Sequence, residues 1–107
     1  MAETVLGKAL ETTALEKMLE GALEANGRVP RHTAEGLRRY VAERLQPGDF
    51  LTAVLSNDLA EAVARADSEN AAALADIVRV LWNGLPAAAW GSRRKVNAWL
   101  KEETAPY

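Results

Sequence analysis

No cysteine occurs among the 107 residues, which excludes disulfides, zinc knuckles and thiol nucleophiles together. Only one histidine, His32, is present, so a histidine-based metal site lacks its usual second nitrogen ligand. Long apolar runs are missing as well. The longest uncharged stretch, residues 80–92, contains Asn83, Gly84 and Pro86 and is far too short to span a bilayer. The first residues lack the basic stretch and apolar run of a secretory signal. Charge of one sign is also scarce, and a net −2 is too small to steer a partner by itself. These absences lead to the expectation of a soluble cytoplasmic protein with no cofactor and no resident metal.

Catalytic side chains are equally sparse. His32 lies between Arg31 and Thr33 near an expected helix start, where a solvated residue is the plain reading. Ser56 and Ser92 do not lie in a nucleophile-elbow pattern. The carboxylates Asp49, Asp58, Asp67 and Asp76 mostly stand where helix caps or first-turn charges belong, and Asp76 has Arg79 within reach. No Gly-rich phosphate loop is present. The residues therefore indicate that the chain is not an enzyme and has no catalytic set.

What is abundant is helix-forming material. Ala, Leu, Glu, Arg and Lys dominate, and sustained polar–apolar alternation is absent. The expected fold is all-α: a compact single domain of five to seven short helices, with a central helix over about 68–83. An acidic amphipathic segment, 1–27, precedes a helical core region, 28–107. In that first segment the pairs Val5-Leu6 and Ala9-Leu10 fall off the face shared by Ala14-Leu15, Met18-Leu19 and Ala22-Leu23. Thr13 and Glu16 have capping-box spacing, so one long helix and two consecutive helices both remain open. Glu16, Glu20 and Glu24 form an acidic ridge. Asn26-Gly27 ends the segment, and a second helix runs to about Leu45. Pro47 opens a short third helix. Helix caps are expected in Ser56-Asn57-Asp58, at Asp67 or Ser68, and at Ser92. The core is expected around Leu37, Tyr40, Phe50, Leu51, Val54, Leu55, Leu59, Ile77, Val78, Leu81 and Trp99, with the tail 104–107 frayed.

Charge is blocky, running −3 over 1–27, +3 over 28–46, −4 over 47–83 and +2 over 84–107. Alternating signs suit electrostatic pairing between helices, within the chain or between subunits. Two basic clusters follow. Arg28, Arg31, Arg38, Arg39 and Arg44 supply a surface for a partner or a nucleic acid, although Arg38 and Arg39 are adjacent and point in different directions. In the second, Ser92 opens a helix followed by Arg93 and Arg94, and Trp90 precedes it. That set suits a small anion or a nucleotide. A hydrophobic residue just before a cap is equally the ordinary staple of a helix start.

Residues 30–100 resemble a group of small, largely uncharacterised helical proteins of phage and bacterial genomes. The resemblance lies in Gly36-Leu37-Arg38-Arg39-Tyr40, in Pro47-Gly48-Asp49-Phe50-Leu51 followed by Ala53-Val54-Leu55-Ser56-Asn57-Asp58-Leu59, in Ala66-Asp67 with Asn70, and in Trp90-Gly91-Ser92 with Val96 and Trp99. Where that group has a cysteine before the tryptophan and a proline after the serine, this chain has Ala89 and Arg93. The resemblance implies a phage or mobile-element setting and carries no activity. Together with the residue supply, it leads first to a non-enzymatic protein-interaction protein, acting as a homo-oligomer and occluding a host defence protein. The second reading is a protein that sequesters a nucleotide or small anion at Trp90, Ser92, Arg93 and Arg94. The third is a nucleic-acid-binding regulator.

Overall fold

In the computed structural model the backbone is described over residues 2–101 and the side chains over 12–101. The apolar pairs at 5/6 and 9/10 and the tail at 104–107 lie outside the described side chains. Among the described residues seven α-helices follow one another: α1 (Ala2–Ala25), α2 (Arg31–Glu43), α3 (Asp49–Leu55), α4 (Leu59–Arg65), α5 (Ser68–Ala72), α6 (Leu74–Gly84) and α7 (Arg93–Leu100). A short 3-10 turn, Ala87–Ala89, joins the last two. No strand occurs among the described residues, and the all-α expectation holds. No helix is long and apolar enough to cross a membrane among those residues.

Local chemistry explains three of the helix starts. Asp58 accepts the Glu61 N–H at 3.2 Å, Asp67 that of Asn70 at 2.8 Å, and Ser92 that of Lys95 at 3.1 Å. Each cap satisfies a donor that the first helical turn leaves without a partner. Helix α2 stops at Glu43 because Arg44 turns into the left-handed region at φ 57°, and Asn57 does the same at φ 61° before α4. Asn adopts that conformation readily, while Arg rarely does. Helix α1 is continuous, so Thr13 starts no second helix.

The segment expected as one central helix over 68–83 is divided. Ala73 leaves helical geometry at φ −101°, ψ 7°, and α6 begins afresh at Leu74. Asn70 accounts for this. Its N–H is taken by Asp67, and its side-chain oxygen accepts the buried Thr33 hydroxyl at 2.6 Å. The single turn of α5 is thereby tied to α2, and this tertiary restraint overrides the helix preference of the alanines around it.

The core gathers Leu19, Leu37, Tyr40, Leu55, Ile77, Val80, Leu81 and Val96, all close to fully buried. Leu19, Ala22 and Leu23 of α1 belong to this same cluster. At the far end of α6, Gly84 lets that helix press against α1 at Ala22. Two expected core members are corrected: Leu59 is 67% exposed and Val78 39% exposed. Helix α4 buries Ala62 instead, which turns Leu59 outward. Phe50 is partly buried, packing on the rim of the core.

Candidate interaction surface

The structure places the residues of the C-terminal basic cluster in separate roles. The Ser92 hydroxyl is occupied as the α7 cap. Gly91 has φ 115° and donates its N–H to the Leu55 carbonyl at 2.7 Å, pinning this loop to α3. Trp90 is half-buried and stands edge-on to Trp82, with ring centroids 6.3 Å apart and planes at 78°. Arg93 points toward Asp58 at 3.7 Å, and Arg94 is exposed. A turn stapled onto the fold accounts for this geometry.

The five arginines of the first cluster are likewise divided. Arg38 grips the Glu20 carboxylate of α1 through two N–H groups, at 2.6 and 2.9 Å, and reaches Glu35 at 2.9 Å. The hydrogen bonds between them hold the Glu20 carboxyl below its ordinary range and raise the Arg38 guanidinium. Arg44 lies over the Trp99 ring, 3.5 Å from its centroid, and donates to the Trp99 carbonyl at 2.8 Å. Arg28, Arg31 and Arg39 are exposed. Arg38 and Arg44 thus hold α2 to α1 and α7 rather than joining the other three in one basic patch.

Tyr40 completes the buried polar set. Its hydroxyl donates to the Ala89 carbonyl at 2.7 Å, and its own carbonyl accepts the Trp99 indole N–H at 2.8 Å. Burial pushes the Tyr40 phenol well above its usual range.

The most prominent apolar surface lies elsewhere, at a place the sequence alone does not single out. On α6, Ile77, Val80, Leu81 and Gly84 face the core. Val78 and Trp82, one turn apart, point away from that face, and Trp82 is 76% exposed. A second pair with the same spacing, Leu59 and Val63, is exposed on α4. The polar side of α6 is satisfied by itself: Arg79 donates to Asp76 at 2.6 Å, and the Asn83 amide donates to the Arg79 carbonyl at 3.0 Å. The sequence carries one signal of this surface, since the apolar arc of α6 is wider than one core contact uses.

No protein-family model matches the chain, and neither a curated protein nor a solved structure matches it.

Proposed function

We propose that the chain is a non-enzymatic protein-interaction protein whose contact surface centres on Trp82. One observation carries this reading: a tryptophan in the last turn of a well-formed helix is 76% exposed. The edge contact with Trp90 limits the ring's freedom, so little conformational entropy would be lost on contact. Tryptophan is among the residue types that most often dominate interface energetics, because it buries much apolar area and carries one N–H for a rim hydrogen bond. Val78 extends the apolar area by one turn of helix. In the phage or mobile-element setting that the resemblance implies, the covered surface would belong to a host defence protein, and the chain would act by occlusion.

The test compares the wild type with Trp82→Glu and with Leu59→Glu as a control at another exposed apolar position. Both variants should fold with unchanged circular dichroism. A partner retained by the wild type and by Leu59→Glu, and lost by Trp82→Glu, supports the reading. A partner retained by Trp82→Glu moves the interface elsewhere.

A further inference from the structure

The geometry points to a small-molecule site in the groove between α2 and the start of α3, suited to a monocarboxylate with an apolar body. The groove has a volume of about 490 Å³, inside the range of ordinary small-ligand sites. One wall is apolar, made by Leu45, Phe50 and Leu51, and Gly36 lines the groove beside Leu51. A Cβ there would lie 3.2 Å from Leu51 Cδ2, a tight contact with the end of that side chain.

The polar end is held rigidly from below. Thr33 and Asn70 are each 4% exposed and are joined by their 2.6 Å hydrogen bond. The Asn70 amide nitrogen lies 3.3 Å from His32 Nε2, and the Asp67 carboxylate lies 3.4 Å from the same atom. The imidazole is therefore positioned by two groups that are themselves fixed, Asp67 as a cap and Asn70 by Thr33. A pre-positioned polar group beside an apolar wall is what orientation of a small ligand requires.

Charge selects the ligand class. Arg65 borders the groove but is engaged by Glu61 at 2.7 Å and by Asp49 at 3.5 Å. Arg39 borders it too, and among the described residues no carboxylate lies within ion-pair distance of it. A guanidinium with no carboxylate partner among the described residues matches one carboxylate, with the two-pronged geometry that Arg favours. Asp49 and Asp67 also line the groove and repel a second negative charge. A monoanion is favoured over a dianion such as phosphate. In this arrangement Arg39 takes the carboxylate, His32 contacts its second oxygen or a polar substituent, and Leu45, Phe50 and Leu51 cover the apolar body.

The test titrates the full chain with benzoate, neutral benzamide and inorganic phosphate, following backbone amide signals by NMR. Benzoate should give saturable shifts at Gly36, Phe50 and Asn70, with benzamide and phosphate at least tenfold weaker. Arg39→Gln, a substitution at an exposed position, should weaken benzoate at least tenfold while leaving the spectrum folded. Equal binding of benzoate and benzamide, unchanged affinity in Arg39→Gln, or no saturable benzoate shift at tens of millimolar would each overturn the proposal.

Discussion

The contact at Gly84 gives the sharpest test of the packing. A Cβ added there would lie 2.7 Å from the Ala22 Cβ, 3.3 Å from the Leu19 Cα and 3.5 Å from the Met18 carbonyl oxygen. Carbon atoms rest at about 3.5–4.0 Å, so the methyl must displace α1 by most of an ångström. The obstructing atoms are backbone or a Cβ, and no side chain can swing aside. Two effects then compete in Gly84→Ala. Helix preference favours Ala by up to about 1 kcal/mol, and by less at the last residue of a helix. Overpacking costs about 1–3 kcal/mol. The clash wins, and the variant should be about 1–2 kcal/mol less stable. Melting should fall by about 4–8 °C for each kcal/mol in a domain of this size. Ala22→Gly removes the nearest atom and, through helix preference, costs about 1 kcal/mol alone. In the double variant the methyl at 84 occupies the space vacated at 22, so the double should be more stable than the sum of the singles by about 1 kcal/mol. Urea unfolding followed by circular dichroism measures all four corners of the cycle. A neutral or stabilising Gly84→Ala, or strict additivity, would show that α1 and α6 do not touch in this way.

Three further outcomes follow from buried and charged groups. Tyr40→Phe leaves the Ala89 carbonyl without its donor and should cost about 1–3 kcal/mol. Because burial raises the folded-state phenol above its usual 10.0, stability should also fall as pH rises past 10.0, where the unfolded chain ionises first, and Tyr40→Phe should flatten that decline in alkaline urea titrations. The Ser56 hydroxyl is buried with no hydrogen-bond partner among the described residues, so Ser56→Ala should be neutral or stabilise by up to about 1 kcal/mol; a loss beyond that, read by thermal melting, would reveal an unseen partner. The Glu20–Arg38 pair stabilises fully above the carboxylate's ordinary 4.5 and is lost as pH falls below it through the lowered folded-state value. Since both groups are partly exposed, the effect should be below about 1 kcal/mol, and acid unfolding of Arg38→Gln should lack it.

The parts of the fold that were legible in the sequence are those decided within four residues. Asp58, Asp67 and Ser92 cap their helices because a short side-chain acceptor before a helical run finds an N–H three positions on, whatever the rest of the chain does. The break at Ala73 was illegible because its cause, the Thr33–Asn70 bond, spans 37 positions and runs against local helix preference. The same distance hid the groove: His32, Arg39, Phe50 and Asn70 are ordinary singly and come together only when α5 docks on α2. The arginines misled for the opposite reason. Clustering in sequence does not make a surface patch when Arg38 turns to α1 and Arg44 lies on Trp99.

The exposed apolar residues Leu59 and Trp82 each lie on a helix whose buried face carries a small residue. In α4 the deeply buried residue is Ala62, and in α6 Gly84 joins the buried face. A small residue lets two backbones approach closely, and the dispersion attraction of that approach can outweigh burying a larger side chain on another face. Hydrophobicity alone would rotate Leu59 and Trp82 inward; close approach rotates them out. Trp82 and Gly84 are two positions apart, about 200° around the helix, so pressing Gly84 onto Ala22 aims the indole into solvent. The exposed tryptophan is therefore coupled to the α1–α6 contact. Gly84→Ala should therefore also change Trp82 emission and its quenching by acrylamide, although the substituted residue lies on the opposite side of the helix. Unchanged quenching in a destabilised Gly84→Ala variant would separate the two, leaving the orientation of Trp82 to Ile77, Val80 and Leu81 alone.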